Sequence, residues 1–172
     1  MDYSLVLDGS SQEGLHAYSD SDHAGDPNTY KSITGFNVML AGASISWTSH
    51  TQKTVANSST EAEYMALSDC SQQIMWIKHM FKELGFPLNT IPVYLDNNGT
   101  LFIADNPTLE RRTKHIDVCY HYIHERIKEG NISVFCVDTA NNIANLLTKS
   151  LGWIKFEQFR GQLGLEFYLS GS

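Results

Sequence analysis

From Leu15 the chain alternates. In "LHAYSDSD", Leu15, Ala17 and Ser19 fall on one side and His16, Tyr18 and Asp20 on the other, the two-residue period of a strand. "AGDPNTY" follows as a turn, with Gly25 and Pro27. "TGFNVMLAGASISWTSH" predicts two strands joined by the small residues Ala41-Gly42-Ala43. The period then lengthens. Ala66, Cys70, Ile74, Ile77, Phe81 and Leu84 recur at steps of three and four, predicting one long helix from Ser58 to Leu84, stopped by Gly85 and Pro87. "IPVYL" predicts a short strand ending on Asp96, "NNGTLFIAD" a turn into a short helix, and Asn106-Pro107 a loop. Ile116, Cys119, Tyr120, Ile123 and Ile127 mark a second helix face, ended by Gly130. "NISVFCV" is a fifth strand, Asn141 to Lys149 a helical stretch, and "IKFEQFRGQLGL" a final short helix.

Three strands, a helix, a strand, helical crossover, a strand and a helix make a mixed α/β sheet, with an antiparallel hairpin beside strands joined by helices. The 172 residues fit one domain with its own core. A hydrophobic content of 42% and a charged content of 18% are those of an ordinary globular chain. No apolar run approaches bilayer length and no signal-peptide pattern opens the chain, so no membrane role is expected. Cys70, Cys119 and Cys136 are scattered without metal-ligand spacing, which reads as buried reduced thiols in an intracellular setting.

A net charge of −7 argues on its face against nucleic acid, because affinity for phosphates comes from Lys and Arg. A cluster of metal-binding carboxylates lowers net charge in the same way, and a tethered domain can leave binding to its neighbour. The acids are therefore the place to look. Asp20 and Asp96 fall at strand ends, where open α/β sheets place their ligands. One Asp at a strand end is ordinarily a turn residue bonded to its own backbone. Two of them, with a third acid from a helix passing over, can hold hard divalent cations through oxygen.

The helix offers two glutamates. Ser58-x-x-Glu61 is a capping box, and Thr60-x-x-Glu63 fits the same pattern. The apolar stripe separates them. Glu63 precedes Ala66 by three residues and Cys70 by seven, at the start of the inward face, whereas Glu61 lies off it. An inward carboxylate needs a partner, because an unpaired buried charge is costly. Glu63 is the candidate for chemistry and Glu61 for capping.

At this point "YSDSDHAGD", "KSITGF", "SISWTSHTQKTVANSSTEAEYMAL", "VYLDNNGTLFIADNP", "RTKHIDVCYHYIHERI" and "NIANLLTKSL" resemble, in order, the ribonuclease H domain that ends the Pol polyprotein of copia-type (Pseudoviridae) LTR retrotransposons. The resemblance covers roughly residues 2 to 165. It implies a ribonuclease H-like α/β fold, a five-stranded mixed sheet flanked by helices. It implies hydrolysis of the RNA strand of RNA–DNA hybrids during reverse transcription, with two Mg²⁺ ions for which Mn²⁺ can substitute. Carried over, the metal-holding acids are Asp20, Glu63 and Asp96, with Asp22 a nearby alternative to Asp20. The fourth acid is absent: in "NNIANLLTK" Asn145 and Asn141 stand where the family carries Asp. Asn145 offers a neutral carbonyl oxygen in place of an anionic one.

The resemblance further implies that residues 1–14 link to a preceding reverse transcriptase domain of the same polyprotein, that 15–167 are the ribonuclease H domain and that 168–172 are a tail. It implies a cytoplasmic setting within virus-like particles. Arg111, Arg112, Lys114 and His115, in the densest basic stretch, are candidates for contact with nucleic acid, or else a solvated helix start. Ser21, Asn97 and Asn98 are candidates for 2′-hydroxyl contacts. His121 and His124, three apart on a helix, read as ordinary helix residues rather than ligands, and Trp47, Trp76 and Trp153 as core. The alternative to an enzyme is a catalytically inactive ribonuclease H-like domain that supports the polymerase or binds hybrid or protein. Asn145 favours that alternative, and the three acids favour the enzyme.

Overall fold

The computed structural model describes residues 3–7, 13–96 and 114–167. Its elements are β1 (Tyr3–Leu5), β2 (His16–Asp22), β3 (Ile33–Leu40), β4 (Ala43–Thr51), α1 (Ser59–Glu83), β5 (Ile91–Leu95), α2 (Lys114–Lys128), β6 (Ile132–Cys136), a 3₁₀ turn (Thr139–Asn141), α3 (Asn145–Thr148), α4 (Trp153–Gln162) and β7 (Leu165–Phe167). The main sheet has five strands in the order β4-β3-β2-β5-β6. β2, β3 and β4 form an antiparallel meander, and β5 and β6 add in parallel beside β2. This is the mixed sheet that the hydrophobic pattern predicts.

Alternation along the strands splits the core in two. Ala17, Val38, Val93 and Leu95 face α1 and α2, where they meet Leu67, Cys70, Ile74, Ile77 and Ile123. Leu67, Ile74 and Ile77 are almost fully buried, and each such side chain stabilises the fold by ~1.5–3 kcal/mol. Tyr18 and Met39 face the other way, against Ile143, Phe159 and Leu163 of the C-terminal segment.

α1 starts where its cap says it should. The Ser58 hydroxyl accepts from the Glu61 N–H at 3.1 Å, and the Glu61 carboxylate reaches back to the Asn57 N–H at 2.6 Å. The reciprocal bond thus lands one residue before the N-cap, a variant of the capping box. Gly85, at φ +86°, follows the C-cap Leu84 in the left-handed conformation that favours glycine.

Four expectations are corrected. Asn141 to Lys149 is not one helix: Asn142 is extended (φ −79°, ψ 102°) and its side chain donates to the Ser19 carbonyl at 2.9 Å, which breaks the stretch into a 3₁₀ turn and the short α3. The last helix begins at Trp153 and ends at Gln162, and Leu165–Phe167 forms β7, paired antiparallel with β1. The Arg160 guanidinium lies over the rings of Tyr3 and Phe167 and fastens that pair. Trp47, Trp76 and Trp153 are not core residues: they are 60%, 60% and 68% exposed. Of the cysteines, only Cys70 is buried; Cys119 is half-buried and Cys136 exposed.

Candidate metal centre

β2 and β5 are parallel neighbours, Ala17 opposite Val93 and Tyr18 opposite Tyr94, so their C-terminal ends emerge side by side. Asp20 stands near the end of β2 and Asp96 directly after β5. The first turns of α1 cross this end of the sheet and bring Glu63 to it. Carboxylate oxygens of Asp20, Glu63 and Asp96 lie within 4.8 Å of one another, the only such His, Cys, Asp or Glu group among the described residues. Asp22 is not part of it; its carboxylate folds over the turn at Gly25. His121 is exposed on α2, and the His124 ring packs on Tyr120 at 4.4 Å.

Glu63 is 5% exposed on the inward stripe of α1, whereas the Glu61 carboxylate turns back to the helix start. The Ser21 N–H donates to its Oε1 at 3.2 Å, and Oε2 is buried with no hydrogen-bond partner. Burial first, then the neighbouring charges of Asp20 and Asp96, push its carboxyl up to about 8. Asp20 is 1% exposed, and burial raises its carboxyl too, opposed by the Thr148 hydroxyl and the Lys149 ammonium. Three acids crowded in this way, one with an orphaned buried oxygen, are an electrostatic deficit that a divalent cation removes. An all-oxygen donor set suits Mg²⁺ or Mn²⁺. The residues present therefore fit such an ion.

Asn145 opens α3 and is fully buried. Its amide Nδ2 donates to the carbonyls of Thr139 (3.0 Å) and Asn142 (2.9 Å), while Oδ1 is buried without a partner. Asn141, by contrast, is exposed in the 3₁₀ turn.

No family model matches the chain. The Pol polyprotein of transposon RE2 from Arabidopsis thaliana is 39% identical over 165 residues, 95% of this chain and 11% of the relative. That of transposon RE1 from the same plant is 41% identical over 152 residues, 88% of this chain and 10% of the relative. In structure, the chain is similar to LC11-RNase H1 isolated from compost, at TM-score 0.58 and 14% identity over 78% of this chain and 92% of that one. The complex of that protein with an RNA/DNA hybrid superposes at TM-score 0.56 and 14% identity, over 78% of this chain and 93% of that one. The homologues of this chain are Pol polyproteins of plant copia-type retrotransposons, and its fold is that of ribonuclease H.

The chain spans about a tenth of the length of those relatives. No helix among its described residues is long and apolar enough to cross a membrane. Of its expected nucleic-acid contacts, Arg111 and Arg112 lie outside the described residues, as do Asn97 and Asn98; Lys114 and His115 open α2, with side chains outside the description. The Ser21 hydroxyl is buried without a protein partner.

Two residues that reasoning along the chain did not single out reach the acids. The Thr148 hydroxyl donates to Asp20 Oδ2, and Lys149 Nζ lies 3.6 Å from the same oxygen. Gly35 makes this possible. It pairs with Asp20 across the β2–β3 ladder, and a Cβ there would stand 2.6 Å from Thr148 Cγ2 and 2.9 Å from Leu147 Cβ. The absent side chain lets α3 settle on the sheet beside Asp20. The signal was present in the quoted "KSITGF" and "LLTK", but 128 residues separate Thr148 from Asp20, and no local period connects them.

Proposed function

We propose that this domain hydrolyses the RNA strand of RNA–DNA hybrids during reverse transcription, with Asp20, Glu63 and Asp96 holding two divalent cations, Mg²⁺ or Mn²⁺, and Asn145 lending a neutral oxygen. The observation that carries the reading is the convergence of the three acids within 4.8 Å, with Glu63 Oε2 unsatisfied. The hybrid bound by LC11-RNase H1 supports the substrate class. Cations bound at such a site stabilise the charge that develops on the attacking and leaving oxygens of a phosphodiester, and activate water.

The protein's own part is positioning. β2 and β5 fix Asp20 and Asp96 as neighbours, the Ser21 N–H orients Glu63, and the Thr148 hydroxyl donates to Asp20 Oδ2 and fixes the orientation of that carboxylate. Arg111, Arg112, Lys114 and His115 supply the phosphate contacts, which offsets a net charge of −7. The partner is the reverse transcriptase of the same polyprotein, in cytoplasmic virus-like particles.

A second reading is an inactive domain that binds hybrid or protein, and the neutral Asn145 favours it. Incubation of the domain with a labelled RNA–DNA hybrid and Mg²⁺ or Mn²⁺ separates the two. Cleavage of the RNA strand that Glu63→Gln abolishes supports the enzyme; hybrid binding without cleavage at any metal concentration supports the second reading.

A further inference from the structure

Lys149 is the cation paired with the acidic cluster among the described residues. Its placement is built into the fold. The chain leaves α3 at this residue in an extended conformation (φ −144°, ψ 154°), while the Lys149 N–H still bonds the Asn145 carbonyl at 3.3 Å. Thr148, one residue earlier, is fastened to the same Asp20 oxygen that Lys149 faces. The lysine side chain is 37% exposed and that of Asp20 is 2% exposed, so the ammonium is the outer partner of a buried carboxylate. Nothing else charged on α3 faces the acids, because Asn145 is neutral and its amide hydrogens are spent on Thr139 and Asn142. Asp20 Oδ2 is thus held by a hydroxyl and an ammonium, both donors.

We propose that Lys149 is a tethered cation that competes with a divalent ion for Asp20 Oδ2, so that full metal loading requires the ammonium to leave. The inference rests on the reading of Asp20, Glu63 and Asp96 as metal ligands, and goes beyond it by making Lys149 a built-in antagonist of loading. An ammonium and a divalent ion on one oxygen repel each other, and at this separation and burial the repulsion is not screened away. A lysine with a four-carbon stem can swing into solvent or towards a phosphate oxygen without moving the backbone.

The test is calorimetric titration of the domain with Mn²⁺ alone, without substrate, for wild type, Lys149→Met, Lys149→Arg, Lys155→Met and Glu63→Gln, with thermal melts in chelator alongside. Lys149→Met is expected to tighten Mn²⁺ binding about tenfold or more, the equivalent of ~1.4 kcal/mol. It should also lower the melting temperature of the metal-free protein, since the ion pair is lost. These opposite signs distinguish competition from a merely structural role, which would weaken both together. Lys149→Arg should stay close to wild type in Mn²⁺ affinity. Lys155→Met removes an equal charge from a lysine bonded to the Thr139 carbonyl and should change nothing, which controls for net charge. An unchanged or weaker Mn²⁺ affinity in Lys149→Met, or equal tightening in Lys155→Met, overturns the proposal while leaving the metal site itself intact. Wild type that binds Mn²⁺ no better than Glu63→Gln overturns the metal reading, and this inference falls with it.

Discussion

Replacing Glu63 by glutamine should stabilise the protein when metal is removed and cripple it when metal is present. The carboxyl is 5% exposed, shares 4.8 Å with two other acids and is pushed up from 4.5 to about 8. Between these values the folded protein binds a proton that the unfolded chain releases. Stability from this group is therefore complete below pH 4.5 and drains away as pH rises through 8. At ~1.4 kcal/mol per pH unit the full loss is on the order of 5 kcal/mol, and relaxation of the site leaves about half of it. The substituted glutamine carries no such charge and keeps an oxygen for the Ser21 N–H. For a chain of this size, ~2–4 °C per kcal/mol converts this to about 5–10 °C. Melts in chelator should show the variant and wild type nearly equal at pH 5 and the variant ahead by that margin at pH 9. Saturating Mg²⁺ should reverse the order at pH 8, since a ligand at a hundred times its Kd adds ~2.7 kcal/mol to the protein that binds it. A difference that is flat with pH, or an equal gain from Mg²⁺ in both proteins, would refute the crowding of charge on which the site rests.

Three further outcomes are expected. Asn145→Asp forfeits two amide bonds to Thr139 and Asn142, so the metal-free protein should lose ~1–3 kcal/mol in denaturant melts, while Mg²⁺-dependent cleavage of a labelled hybrid rises and its metal requirement falls; Asn141→Asp, on an exposed turn, should do neither. Glu61→Gln should leave hybrid cleavage at wild-type rate, and Glu61→Ala should cost only ~0.5–1 kcal/mol in urea unfolding, because this residue serves the helix start through Asn57. Gly35→Ala should cost ~1–3 kcal/mol in urea unfolding by overpacking against Leu147 and Thr148, and unchanged stability in this variant would show that α3 does not rest on the bare backbone of Gly35.

The amino-acid sequence by itself determined what depends on local period and local chemistry. The strand alternation, the stripe of α1, its cap at Ser58 and the inward placement of Glu63 all follow from which face a residue occupies on its own element, and the structure agrees with each. Trp76 was legible by the same rule: it stands one position before buried Ile77, about 100° round the helix from it, and it is exposed. Reading it as core followed residue type instead of phase. Only the tertiary structure decided which elements meet. The parallel pairing of β2 with β5 chose Asp20 over Asp22 as the neighbour of Asp96, and the bare backbone of Gly35 let α3 bring Thr148 and Lys149 onto Asp20. The β1–β7 pair, with Arg160 across Tyr3 and Phe167, joins opposite ends of the chain. These contacts depend on the packing of whole elements against one another, and hydrophobic period along the chain records which side of an element is inward but not which partner lies there.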